Sequence, residues 1–126
     1  MRHILPNGTI GRERRASPLT GRELHLADDL FEEDALVWDP VASQRVSYGA
    51  TEGPRLDIRF PDTPRLGIWT KPKPANSPGA RFVCVEPWHG IADPEGFTGD
   101  FREKPGVFEI APGDEKRIAM SVTLVR

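Results

Sequence analysis

The chain has 126 residues and a net charge of −2, and it is 37% hydrophobic and 29% charged. This length allows one domain with a modest core, and the near-neutral charge excludes the broad positive field that attracts nucleic acids or anionic membranes. No apolar run approaches the roughly 18 residues that span a bilayer, and the single cysteine predicts a reducing, cytoplasmic compartment.

Prolines and glycines, 13 and 12 in number, are scattered between short apolar segments. Long helices would be broken at this density, so the composition predicts short strands joined by frequent turns. Residues 1–25 are loosely patterned but belong with the rest to one domain, residues 1–126. The basic cluster at residues 12–15 is interrupted by Glu13 and lacks aromatic residues, so a solvated loop is favoured over a nucleic-acid patch.

From residue 24 onward the pattern predicts an antiparallel, all-β chain of about seven or eight strands. A helical turn is expected at residues 28–33 and a proline-rich loop at residues 71–79. The clearest signals are alternating apolar positions, with a period of two, at residues 55–60 and 118–124. The expected strands are residues 24–26, 35–38, 45–48, 55–60, 66–70, 82–86 and 118–124, and residues 107–110 lead to a Pro-Gly turn.

The most informative stretch is residues 82–90, reading Phe-Val-Cys-Val-Glu-Pro-Trp-His-Gly. Its apolar start predicts a buried strand that ends at Glu86, because Pro87 has no N–H to donate to a sheet. A carboxylate beside the indole of Trp88 suits a sugar site, where the acid takes a hydroxyl proton and the ring covers a C–H face. From spacing alone, a solvated strand-end glutamate with a core tryptophan is the favoured alternative.

Several segments in a fixed order resemble the C-terminal part of an aldose 1-epimerase, of the galactose mutarotase-like group. They are Leu-Gly-Ile-Trp-Thr-Lys at 66–71, the Glu-Pro-Trp-His-Gly run with the following Ile-Ala-Asp to residue 93, Lys-Pro-Gly at 104–106, and Ala-Pro-Gly-Asp-Glu at 111–115. Upstream, residues 30–36 resemble that group's Phe-x-x-Asp-Ala-Leu segment. The resemblance is tight from about residue 30 and loose before residue 25.

The resemblance implies an antiparallel sandwich that is part of a β-supersandwich, and anomer interconversion of a hexose by acid/base ring opening. It implies that Glu86 is the catalytic base, that Asp34 bonds sugar hydroxyls and that Trp88 is a stacking wall. Trp69 is either a second wall or a core residue, and the alternative for Asp34 is a turn aspartate. The family chemistry requires no metal and no cofactor.

One part of the family pattern is missing. Its acid histidine lies in a His-Pro-x-Phe type segment, and this sequence has no such segment and no identifiable counterpart of an upstream sugar-contacting arginine. We therefore expect a truncated family member. His89 and His25 are weaker candidates for the acid, and a metal site at Glu86, His89 and Asp93 is disfavoured because its ligand set is incomplete.

Two alternatives to catalysis follow from the missing part. The chain could be a non-catalytic sugar-binding remnant, or a half-sandwich that needs a partner chain or self-association to cover an apolar face. The residues that select one sugar over another are expected mostly in the missing half.

Overall fold

The computed structural model describes residues 1–73 and 80–126, so most of the expected proline-rich loop, from residue 74 to 79, lies outside the described residues. Within the described ranges, six strands form two antiparallel sheets, and the all-β prediction is confirmed. Two short 3₁₀ helices lie at Asp28–Phe31 and Phe101–Glu103. The strands are β1 (Leu36–Trp38), β2 (Arg45–Gly49), β3 (Arg55–Arg59), β4 (Arg65–Trp69), β5 (Cys84–Trp88) and β6 (Ser121–Val125).

The two sheets each have three strands, in the orders β1-β4-β5 and β2-β3-β6. Their facing sides form the core, which contains Phe31 from the first 3₁₀ helix and Phe60 just after β3. The alternation predicted for residues 55–60 appears as buried Ile58 and Phe60. No helix in the described ranges has the length and apolar character that a membrane crossing requires.

Two strand predictions differ from the structure. Residues 24–26 are not a strand, and the last strand begins at residue 121 rather than 118. A strand needs partner backbone groups as well as an apolar pattern, because unpaired N–H and C=O groups must otherwise bond to water. Strand β6 begins at Ser121 because that residue lies opposite Arg59, the last residue of its partner strand β3.

The strand around Glu86 is also shifted. It runs from Cys84 to Trp88 and passes through Pro87, which the sequence pattern predicted to end it. Strand β5 is the outermost strand of its sheet among the described residues. An edge strand tolerates proline because the missing N–H can face away from the neighbouring strand. Glu86 is consequently in the middle of a strand, not at its end.

The loosely patterned N-terminal segment is paired with the rest of the domain. Arg2 bridges to Val37 of β1, and Ile10 bridges to Pro94 in the loop after β5. Ile10 is 2% exposed and Val37 is fully buried. The segment therefore pairs with the β1 edge of the first sheet and ties it to the loop after β5.

On the outer side of the second sheet, Asp57 lies between Arg45 and Arg59 and accepts hydrogen bonds from both guanidinium groups. The Arg45 bond is the main cause that holds the pKa of Asp57 below its ordinary value of 3.8, and Arg59 adds to it, while burial acts in the opposite direction. Because the pKa of Asp57 is lowered in the folded chain, its ionised carboxylate stabilises the fold at pH values above 3.8. This stabilisation is lost as the pH falls below 3.8.

We therefore expect Asp57→Asn to be less stable than the wild-type chain at pH 7, with a difference that narrows as the pH falls below 3.8. Urea unfolding at a series of pH values measures this difference. Asp29→Asn, at an exposed carboxylate, is the control. A stability difference that stays constant across the series would contradict the expected role of the Arg45 bond.

Candidate functional site

The outer side of the first sheet carries the residues that the sequence singled out. In the antiparallel register, Gly67 of β4 lies opposite Glu86 of β5, and Arg65 lies opposite Trp88. Directly opposed residues point to the same side of a sheet, and so do residues two apart in one strand. Glu86, Trp88, Arg65 and Gly67 therefore share one surface, with Val37 on the next strand.

Glu86 and Trp88 are in direct contact. The indole Nε1–H of Trp88 donates to Oε2 of Glu86 at 3.1 Å, and both residues are half-buried. This bond fixes the carboxylate beside the apolar ring, as the sequence motif suggested. A carboxylate accepts bonds at two oxygens, so a group held this way can still receive a proton from a hydroxyl. The pair has the chemistry of a general base with an adjacent stacking surface.

Gly67 makes room for this arrangement. A Cβ atom at Gly67 would lie 2.8 Å from Cζ2 and 3.0 Å from Cε2 of the Trp88 ring, so the indole lies directly over the glycine. The sequence did not mark Gly67 as part of the site, because its importance depends on the pairing of β4 with β5. The glycine is a positioning residue for Trp88 and, through the 3.1 Å bond, for Glu86.

We expect Gly67→Ala to lower the free energy of unfolding by about 1–3 kcal/mol, the usual range for overpacking, and to break the Trp88–Glu86 bond. Denaturant unfolding followed by tryptophan fluorescence measures both effects. Gly90→Ala is the matched control, since a Cβ there would be 4.0 Å from its nearest neighbour. Equal stability of the two variants would show that the indole moves aside at little cost.

Asp34 and Trp69 are accounted for by local structure. Asp34 is exposed and has a left-handed φ of 75°, and its Oδ1 accepts the backbone N–H of Ala35 at 2.6 Å. Aspartate tolerates this backbone conformation better than most residues, so a turn explains its presence. Trp69 packs against the core and against Phe82, with ring centroids 5.9 Å apart. Sugar contacts by Asp34 and Trp69 stay predictions.

The candidate histidines are held by contacts of their own. Nδ1 of His89 lies 2.9 Å from the carbonyl oxygen of Gly106, and its ring packs edge-on against Phe108. His25 is exposed, beside Glu23. Among the residues that the structure describes, no three His, Cys, Asp or Glu side chains are grouped as metal ligands would be.

A cavity of about 410 Å³ opens at the end of this sheet surface, next to Arg65. Sequence reasoning missed it, because its lining comes from segments far apart in the chain. Arg12 belongs to the exposed stretch that the sequence predicts as a solvated loop, and it also contributes to this lining. Glu86 is not among the lining residues, which are Arg2, Ile10, Gly11, Arg12, Asp39, Arg65, Ile91, Pro94 and Pro105.

Comparison with known proteins gives one informative relationship. No protein-family model and no curated protein matches the chain. Among solved structures, it is similar to a galactose mutarotase-related enzyme from Lactobacillus acidophilus, with a TM-score of 0.74 and 29% sequence identity. The similarity covers 99% of this chain but only 41% of the solved one, consistent with a C-terminal portion. The chain therefore has a galactose mutarotase-like fold and is similar to part of a galactose mutarotase-related enzyme.

Proposed function

We propose that the chain binds a hexose and interconverts its anomers, with Glu86 as the general base. The observation that carries the proposal is the contact of the Glu86 carboxylate with the Trp88 indole above Gly67, in a chain similar to a galactose mutarotase-related enzyme. A cytoplasmic location belongs to the same proposal, because a single cysteine fits a reducing compartment. That cysteine, Cys84, is half-buried in β5.

In this reaction Glu86 removes the proton of the anomeric hydroxyl. The C1–O bond then becomes a carbonyl, the bond from C1 to the ring oxygen breaks, and the ring oxygen takes a proton. Rotation about C1–C2 and closure in the reverse sense give the other anomer, and Glu86 returns its proton. The apolar face of Trp88 would hold the sugar ring against the carboxylate.

Protonation of the ring oxygen has no assigned side chain in this chain, unlike removal of the anomeric proton. The histidine that the family uses has no counterpart in the sequence, and His89 is bonded to the Gly106 carbonyl. A positioned proton-transfer group typically contributes a factor of roughly 10²–10⁴ in rate. We therefore assign protonation of the ring oxygen to water in this chain. We expect the chain to accelerate the reaction by one such rate factor, from Glu86, and not by two.

Polarimetry of freshly dissolved α-D-glucose and α-D-galactose tests the proposal. We expect the purified chain to accelerate the change in optical rotation over buffer. A rate equal to that of buffer would exclude catalysis by this chain. Sugar-dependent quenching of tryptophan fluorescence without acceleration would instead support the non-catalytic sugar-binding alternative.

A second function, assembly with another chain, is favoured by a specific surface. Val122 and Leu124 of β6 pair with Ile58 and Leu56 of β3, so their side chains continue the core side of the second sheet. Ile58 is 4% exposed, whereas Val122 is 53% and Leu124 is 55% exposed. The core side of this sheet is therefore uncovered at β6, which is the outermost strand among the described residues.

We propose that a second copy of this chain covers this surface. Two β6 strands can pair antiparallel about a two-fold axis, which would satisfy the open backbone edge and bury the apolar side chains of both copies together. The net charge of −2 per chain opposes such pairing only weakly.

A further inference from the structure

The cavity of about 410 Å³ beside Arg65 has an unusual lining. Three arginines, Arg2, Arg12 and Arg65, approach it from different parts of the chain. Its volume falls in the range of small-molecule sites, roughly 300–1,000 Å³. Asp39 contributes the only carboxylate of the lining, so the guanidinium groups leave an excess of two positive charges.

Asp39 is hydrogen-bonded to one of the arginines and lies close to a second. Its Oδ1 accepts Nε–H of Arg65 at 2.8 Å, and its Oδ2 lies 3.5 Å from Nε of Arg2. The side chains of Arg65 and Asp39 are only 15% and 13% exposed. One carboxylate near two guanidinium groups neutralises one charge and leaves one, and its hydrogen bond orients the guanidinium plane of Arg65.

The remaining contacts of the arginines are to neutral backbone oxygens. Arg12 donates from Nε and Nη2 to the carbonyl of Glu95, at 3.2 Å each, and Arg2 donates from Nη1 to the carbonyl of Arg12 at 3.1 Å. Arg65 donates from Nη1 to the carbonyl of His89. Carbonyl oxygens position a guanidinium group without cancelling its charge. The cluster is therefore both ordered and positively charged, which is the arrangement that suits an oxyanion.

One neighbouring ion pair leaves the charge of the lining unchanged. Lys104, which precedes the lining residue Pro105, pairs with Asp93 at 2.8 Å and adds no net charge. The rest of the lining is apolar or backbone and includes Ile10, Ile91 and Pro94. A ligand with an anionic end and an uncharged body matches both parts of the surface.

We propose that this cavity binds the phosphate group of a small phosphate monoester of about the size of a sugar phosphate. Guanidinium groups match phosphate oxygens in pairs, and the three here, two from the N-terminal segment and one from β4, line the same cavity. The cavity is larger than one phosphate needs, so the uncharged body lies against the apolar lining. The inference does not depend on catalysis by Glu86.

Isothermal titration calorimetry at low salt tests the site, with glucose 6-phosphate, inorganic phosphate, succinate and glucose as separate titrants. We expect glucose 6-phosphate to bind most tightly, inorganic phosphate more weakly, and succinate and glucose weakest. Arg12→Gln should weaken binding of glucose 6-phosphate by about tenfold or more, because it removes one charge-assisted contact. Arg22→Gln, which makes the same charge change at an exposed arginine outside the lining, should leave binding unchanged.

A second measurement needs no variant. Phosphate addition to the wild-type chain should shift the ¹⁵N Nε resonances of Arg2, Arg12 and Arg65 together, and should leave that of Arg22 in place. Equal affinities of Arg12→Gln and Arg22→Gln would overturn the proposal. So would equal binding of glucose and glucose 6-phosphate, or Nε shifts spread over all arginines.

Discussion

Replacing Glu86 with glutamine is expected to lower chain-catalysed mutarotation by roughly 10²–10⁴-fold, to the rate of buffer. The amide cannot accept the anomeric proton, because its nitrogen and oxygen are not basic in the accessible pH range. Its oxygen still accepts the Nε1–H of Trp88, which the carboxylate accepts at 3.1 Å in the wild-type chain. The substitution therefore removes the base and retains the contact that orders the site.

The measurement is polarimetry on matched concentrations of wild-type chain, Glu86→Gln and Glu52→Gln. Glu52 is exposed in the turn between β2 and β3, so its substitution changes charge equally without touching the site. Glu86→Gln should keep its unfolding midpoint while losing rate. Retention of the wild-type rate in this variant would assign the base to another residue and end the proposed role of Glu86.

The second large effect concerns assembly through β6. The double variant Val122→Lys/Leu124→Lys is expected to dissociate dimers of the wild-type chain. Full burial of a Val or Leu side chain is worth about 1.5–3 kcal/mol, and these two are already about half covered. Loss of the remaining burial should raise the dissociation constant by roughly tenfold to a hundredfold for each chain.

Size-exclusion chromatography with light scattering over a range of concentrations measures this change. The control is Ser121→Lys/Thr123→Lys, which adds the same two charges to the other side of the same strand. A wild-type chain that stays monomeric at all concentrations would contradict pairing with a second copy. A dimer that survives in the Val122/Leu124 variant would place the interface elsewhere.

The sequence predicted those parts of the fold that depend on short-range patterns. The period of two at Leu56, Ile58 and Phe60 was enough to identify the buried side of β3. Glu86 and Trp88 are two positions apart, so their shared side of β5 follows from strand geometry. The strand end predicted at Pro87 was wrong because the effect of a proline depends on whether its strand is central or at an edge, which the local sequence does not specify.

The cavity could not be predicted in this way. Arg2, Asp39 and Arg65 come together only after β1 has paired with β4 and the N-terminal segment with β1. Each of these arginines alone resembles an ordinary surface residue. Gly67 is similar, because its value to the site lies in the ring that the neighbouring strand places over it.

The pairing of the N-terminal segment with the loop after β5 also limits how the domain can come apart. The N–H of Ile10 donates to the carbonyl of Asp93, and the N–H of Glu95 donates back to the carbonyl of Ile10, each at 2.8 Å. Two segments joined reciprocally across more than eighty positions must detach as one cooperative unit. Local unfolding of residues 1–12 would therefore release the loop around Pro94. The cavity lining that carries Arg2, Arg12 and Arg65 would become disordered in the same event.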